Sequence, residues 1–459
     1  IGSGDLAPAA ERAVFGARGD IFSVPAEKGN VRNLTNTPGI REREPVWSPD
    51  GKTVAYLSDR DGEYQVYVRP ADGTGEEKKL TDKAEAWQYE MFWSPDSKHL
   101  LMTDAAFNLW LIDAEKGGMK KVDQGVADDI RQVAWSPHGG WIAYAKAEEN
   151  NFSSIFLYEV ASGDVHRVTS DFTNDTVPCF DDEGKYLFFA SATNFNPTLG
   201  GFDLKPIWAN QDGLYVVTLR EDVDHPFPPE SDEVEVKEEE EEGDDEGKDE
   251  EKKDDEGEDE EEEAEKAIEI DLEGLASRMI ELDVDPGNYF TLQFAKGKLF
   301  YMSRPFAAGG GRGNPNSRPS IMVFDMDERE SETVLKGVRG FTLSANGEKL
   351  LYAKDGSYGL NAAKADQKPA EKPLRPGERM ARVDPRAEWK QMFRDAWRQQ
   401  RDFFYDPGRH GVDWVHMYER YGQLVPYISH GAAFTYVIGE LIGELNSSHS
   451  YARPGDMPR

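Results

Sequence analysis

The chain has 459 residues, enough for two or three domains, with 38% hydrophobic residues and a formal net charge of −35. Such acidity repels nucleic acid and anionic lipid, and no run of about eighteen apolar residues exists to cross a membrane, so both are set aside as partners. The single cysteine, Cys179, excludes an intrachain disulfide; between Pro178 and Phe180 it reads as a small buried residue rather than a nucleophile. The chain begins at Ile1 with no charged-then-apolar leader, which suggests either a removed targeting segment or a start inside a longer protein.

Residues 1–375 carry a repeat. It is clearest at Trp47–Gly51, Trp93–Ser97 and Trp135–Gly139, where Trp-Ser-Pro precedes Asp or His and then a small residue. Proline presets φ for a turn, aspartate bonds the backbone ahead of it, and glycine supplies positive φ. Each turn leads into alternating apolar runs such as Val54–Leu57 and Gln65–Val68, a strand pattern with one buried face. Pro49, Pro95 and Pro137 are 46 and 42 residues apart. A period of roughly 40–45 residues with about four strands per unit predicts a β-propeller. Weaker copies at Leu6–Ala10, Phe180–Gly184, Leu292–Lys296 and Phe341–Gly347 bring the total to seven blades, near positions 1, 46, 92, 134, 178, 288 and 341.

Two insertions interrupt the pattern. Residues 223–266 pass from a proline-rich start into an acidic tract, with 24 Asp or Glu against 4 Lys over 231–265, a net of −20 that leaves −15 for the rest. Such a segment lacks apolar residues to bury and is expected to be disordered. It also lacks the ligand spacing and turn glycine of a calcium loop. The glycine-rich stretch 307–318 lies between strands rather than between a strand and a helix, so it reads as a mobile loop and not as a phosphate cradle.

A linker at 376–386 separates the propeller from a helical module at 387–459. Apolar residues at helical spacing predict helices over Ala387–Tyr405, over Val412–Tyr427 with Asp413 as cap, and from Ser429, as cap, through Leu445. A three-helix module of this size needs something to pack against. The fold class is therefore mainly β, a seven-bladed β-propeller followed by a small three-helix α module.

No complete catalytic site appears. There is no GxSxG elbow, no HExxH, no paired cysteines and no Walker loop. His99, His138 and His166 fall on strands or turns, His225 lies in the acidic insertion, and His410, His416 and His430 have no second histidine four residues on. Neither a metal nor a cofactor is expected. His449 stands just past the third helix, fixed in position and suited to general-base chemistry, although by itself it also fits a capping or core histidine. Ser448 beside it fits a cap equally well.

The combination of WSPDG repeats with GVDW (411–414), RYGQLVP (420–426) and GELNSSHSY (443–451) resembles the tricorn protease family. So does the run Ala13–Thr35, which is similar to the start of that family's second, seven-bladed propeller. The resemblance covers the chain apart from the acidic insertion. It implies a TolB-like propeller joined to the first catalytic subdomain of a serine peptidase that trims short peptides. His449 then matches the family's catalytic histidine, and Ser448 the serine that links it to an acidic partner. The nucleophile, the orienting glutamate, the oxyanion donors and a PDZ domain would lie further on, so this chain by itself is expected to be inactive. The resemblance also implies short-peptide substrates, a homo-oligomeric full-length protein, passage of peptides through the propeller and a cytoplasmic location, or a periplasmic or exported one if a leader was lost. Two competing readings are a non-catalytic propeller scaffold that binds a partner peptide or protein, and a prolyl-oligopeptidase-like enzyme, which ranks last because it needs a GxSxG elbow.

Overall fold

The computed structural model describes residues 3–195, 197–199, 206–228, 268–306, 318–378 and 380–455. Its unit is the pentapeptide turn, and the residue that locks the turn is the serine. Ser48 Oγ donates to Asp50 Oδ1 at 2.6 Å and accepts from Thr53 N at 2.9 Å. Asp50 Oδ1 accepts in turn from Lys52 N at 3.0 Å, and Gly51 takes φ +75°. Blade 3 repeats the pattern with Ser94, Asp96 and His99, although Ser97 occupies the left-handed position at φ +59°. Blade 7 uses Ser344 and Asn346, and in blade 5 Asp181 replaces the serine and accepts from Tyr186 N at 2.8 Å.

Seven sheets follow one another in chain order, each an antiparallel meander of sequence neighbours. Their innermost strands are Gly4–Leu6, Glu42–Trp47, Gln88–Trp93, Val133–Trp135, Asp175–Phe180, Tyr289–Ala295 and Gly340–Leu343. These coincide with the seven expected units. Six blades have four strands and blade 7 has three. Blade 5 also carries a short hairpin, Pro197–Leu199 with Pro206–Trp208, between its second and third strands. Apolar side chains fill the spaces between blades; Leu57, Val66, Met91, Leu100 and Met102 join blades 2 and 3. Side chains on innermost strands, or just before one in the case of Gln132, also bond the next blade. Asp5 accepts from Trp47 N, Gln132 from Val177 N, and Gln293 from Leu343 N, at 2.7–2.9 Å. Blades 7 and 1 meet through Leu351, Tyr358 and Leu360 against Leu6, Phe15 and Val24, with Leu374 packed beside them.

The acidic tract falls largely at 229–267 and the glycine-rich stretch largely at 307–317, both outside the described residues. The start of the first insertion departs from expectation. Phe227 packs edge-on to Phe324 at 6.1 Å, and Pro228 O accepts from Arg329 at 2.7 Å. One aromatic ring is enough to pin a proline-rich strand end against blade 6.

The three helices are α1 (Pro385–Phe403), α2 (Trp414–Gly422) and α3 (Gly431–Gly443). Asp413 caps α2, accepting from His416 N. The other boundaries shift. Asp384 caps α1 by accepting from Arg386 N and Ala387 N, with Pro385 at the first helical position, an Asp-Pro start that places the helix two residues before Ala387. α2 stops at Gly422 and Pro426 sits in a separate 3-10 turn, Val425–Tyr427, so the helix does not run to Tyr427. α3 is capped by His430, whose Nδ1 accepts from Ala433 N at 3.2 Å, and not by Ser429.

Burial places several propeller carboxyls in an unusual state. Glu42 is pushed up to about 7 and Asp181 to about 6, in each case chiefly by loss of hydration. Their folded values lie above those of an unfolded chain, so protonation favours the fold. That contribution is complete at low pH and fades as pH rises through about 6–7. We expect the melting temperature to fall between about pH 5 and pH 8, and the Glu42→Gln/Asp181→Asn variant to show a flatter fall in the same scan. Equal slopes would show that these carboxyls do not couple to folding.

Candidate functional site

The helical module is set on the propeller by buried charge. Arg398 on α1 is 1% exposed. Its Nη2 donates to Asp59 Oδ2 at 2.7 Å and Asp395 Oδ1 at 2.8 Å, and its Nη1 donates to Gly62 O at 2.8 Å. Its guanidinium lies 4.4 Å from the centre of the Tyr64 ring. Tyr64 donates to Asp395 at 3.2 Å, and burial followed by the Asp395 charge pushes its phenol up. Arg41 pairs with the same Asp395. At the rim, Arg18 holds Glu388 with two bonds and Arg401 holds Glu63 with two. Close approach is required as well, since a Cβ on Gly39 would lie 2.5 Å from that of Ala387.

On this base α2 and α3 pack through Phe393, Trp414, Phe434, Val437, Leu441 and Leu445. Trp397 Nε1 donates to Trp414 O at 2.8 Å and Trp414 Nε1 returns a bond to Trp397 O at 3.0 Å. Leu445, fully buried, lies in the turn just past the end of α3. Its carbonyl is bonded by His410 Nδ1 at 2.8 Å, while His410 Nε2 bonds Tyr405 Oη and His410 N donates to Asp406. Sequence reasoning considered His410 only as a metal ligand and missed this cap. Its place beside Asp406 and Gly408, in a stretch rich in turn formers, was the available signal.

Four residues past Leu445 lies His449, exposed, in the left-handed region at φ +62°. Histidine is among the non-glycine residues that take this conformation more readily, and it marks a tight turn here. Its ring meets Tyr451 edge-on at 6.5 Å. Ser448 is exposed beside it, and its carbonyl accepts from Ser447 Oγ at 3.4 Å. Ser448 and His449 are thus neighbours on one turn. Among the described residues neither imidazole nitrogen has a hydrogen bond or ion pair, so no nucleophile or acidic partner is brought to His449. No three His, Cys, Asp or Glu side chains among the described residues converge to hold a metal, and no helix is long and apolar enough to cross a membrane. Cys179 is buried and its thiol is pushed up to about 12 by loss of hydration.

The propeller axis holds two cavities. One, of about 690 Å³, is walled by the innermost strands of blades 3–7 and their turns. The other, of about 430 Å³, opens toward α1, where Arg41 and Trp87 line it and Trp87 meets Phe403 at 5.8 Å. Glu90 and Arg131 belong to the walls of both.

Comparison with known proteins places this geometry. Residues 1–364 match the family model of the tricorn protease second beta propeller domain, and residues 385–443 match that of the tricorn protease C1 domain. The second match ends before Ser448 and His449. A putative tricorn-like protease C-terminal subunit of Sulfurisphaera tokodaii is 28% identical over 96% of this chain and 47% of its own length. Tricorn protease homolog 1 of Streptomyces coelicolor is 25% identical over 99% of this chain and 42% of its own. The chain thus spans less than half the length of these relatives. Among solved structures, that of the tricorn protease overlays with a TM-score of 0.75 at 20% identity, covering 96% of this chain and 40% of that one, a likeness of fold.

Removing Arg398 would leave Asp59 buried without a cation and Asp395 with Arg41 alone, at a cost of about 3–5 kcal/mol. We expect Arg398→Met to loosen α1 from the propeller, seen as faster proteolysis near residues 376–384. Adding Asp59→Asn and Asp395→Asn should restore most of the protection. Unchanged cleavage in Arg398→Met would show that the rim pairs alone hold the module.

Proposed function

Because this chain belongs to the tricorn protease family, we propose that it supplies the propeller and the general base of a serine peptidase acting on short peptides. The observation that carries this reading is the exposed His449 on a turn held by buried Leu445 and capped by His410. In this reading His449 takes the proton of a serine hydroxyl as it attacks the scissile carbonyl and returns it to the leaving amine. Ser448 links the imidazole to an acidic group that orients it. With no nucleophile beside His449 among the described residues, the 459-residue chain alone is expected not to turn over peptide. The nucleophile, the oxyanion donors and the ring-forming contacts of a homo-oligomer belong to other parts of the complete protein.

The propeller's axial cavities give short or unfolded chains a route to the helical face and turn away folded proteins. The location proposed is the cytoplasm. The acidic surface disfavours nucleic acid and anionic lipid as partners.

The test is hydrolysis of short fluorogenic peptides by the complete protein that contains this chain. His449→Ala should lower kcat by about 10⁴-fold or more with little change in fold, and Ser448→Ala by a smaller factor. Retained activity in His449→Ala would return that residue to a structural role and favour a non-catalytic propeller scaffold that binds a partner.

A further inference from the structure

The turn-leading residues Trp47, Trp93, Trp135, Phe180, Phe294 and Leu343 occupy one position in six blades. Three residues earlier stand Glu44, Glu90, Val177, Thr291 and Gly340 on the same innermost strands, with Gln132 and Ser3, each just before its strand, at the matching places in blades 4 and 1. Six of these seven residues line one or other axial cavity among the described residues, Glu90 lining both. They form a girdle around the axis. In blades 2, 5 and 6 the strand register slips at this level, and Glu44, Val177 and Thr291 take positive φ of 50–56°. For Val177 and Thr291, β-branched residues, such a backbone is a marked outlier.

Charge on the girdle is one-sided. Carboxylates stand only in adjacent blades 2 and 3, and the rest of the ring is neutral. The nearby cations are already committed. Arg18 holds Glu388, Arg41 holds Asp395, Arg43 faces Glu44 at 3.6 Å, and Arg131 is bound to Asp129 and stacked on Tyr89. Among the described residues Glu90 has no hydrogen bond and no ion pair. It is open to the channel yet crowded by protein, and its carboxyl is raised by loss of hydration and then by Glu44, with the Arg131 charge opposing the rise. On the turn side of Glu90 the larger cavity is lined by Phe92, Trp135, Phe180, Phe294 and Leu343; its other charged residues are Arg131, Asp182, which accepts from Lys296 N, and Lys296, which pairs with Glu348. An apolar wall beside a carboxylate with no bonded cation matches a ligand with apolar side chains and a single cation at its tip.

We propose that this cavity binds a short peptide by its ammonium group, with Glu90 as the acceptor, Glu44 reinforcing the negative field, and apolar side chains against the apolar wall. The peptide's free amino terminus is the ammonium that fits. With the chain lying along that wall behind it, that terminus points toward the cavity that opens on α1, so peptides are held amino end first toward the helical module. This rests on the passage of peptides through the propeller proposed above, and adds which end is recognised and by which residue.

The experiment measures binding to the 459-residue chain itself. The probes are a hexapeptide of Ala, Leu and Phe labelled at its carboxyl end, its N-acetyl counterpart, and an N-acetyl counterpart bearing one Lys. Acetylation should weaken binding about tenfold or more, as for loss of a charged hydrogen-bond donor. Glu90→Gln should erase the difference between the free and acetylated peptides. Recovery of affinity by the lysine peptide would support the site, with a side chain as the source of the ammonium. Equal affinity of free and acetylated peptides for the unaltered chain would overturn the assignment without relying on any variant. So would an undiminished acetylation effect in Glu90→Gln. If no peptide binds, peptide passage fails together with this inference, while the effect of His449→Ala on hydrolysis stands or falls separately.

Discussion

The position of everything beyond the propeller depends on one buried guanidinium. Arg398 is held from the propeller side by Asp59 and Gly62, from its own helix by Asp395, and from above by the Tyr64 ring. Removing such ions from water costs several kcal/mol each, so the cluster is a poor source of net stability. What it enforces is register. Sliding α1 by one turn would carry Arg398 and Asp395 away together and leave Asp59 of the propeller buried without its cation. The register passes outward through the reciprocal indole–carbonyl bonds of Trp397 and Trp414, then through Leu441 and Leu445, to the turn that carries His449.

The propeller was legible because its information is local and repeated. Tryptophan, serine, proline and aspartate within five residues dictate a turn, and the alternation after it dictates a buried strand face. Even degenerate copies such as Phe180–Gly184 could be placed, since the period constrains them. The serine's part in the lock was harder to see, because Ser48 acts on Thr53 five residues away through its hydroxyl. Helix ends were less legible. Asp384-Pro385 is a strong start signal that was absorbed into the linker, and His430 is a rare cap whose Nδ1 takes a role usually given to Ser or Asp. The docking cluster was invisible to sequence reading: Asp59 and Arg398 are 339 positions apart, and no local pattern links them. Ser448 and His449 were picked out by motif, and the structure adds their exposure and the left-handed backbone of His449.

The same repeat that defines the fold also defines where it departs from symmetry. Equivalent positions on seven strands give a ring of seven side chains, and evolution of one blade can alter one sector of that ring without disturbing the others. Glu42 shows the opposite constraint. Two positions before Glu44 on the same strand, it is buried against Thr37 and Arg60, and its charge is a matter of blade packing. The register slip and left-handed backbone at Glu44 break the two-residue alternation that would put both on one face, and so separate a carboxyl that belongs to the core from one that belongs to the axis.

The seam between blades 7 and 1 is made of side chains, with each blade's paired strands drawn from one continuous stretch of chain. In a ring fastened by a strand shared between its ends, the first blade must wait for the last residues before its sheet is complete. Here every blade can finish its hydrogen-bonded sheet soon after its residues leave the ribosome, in the order of synthesis. Only the apolar contact of Phe15 with Tyr358 and its neighbours waits for the whole propeller. Assembly is then a serial addition of finished sheets, with a single late event, the meeting of two preformed faces, that closes the circle.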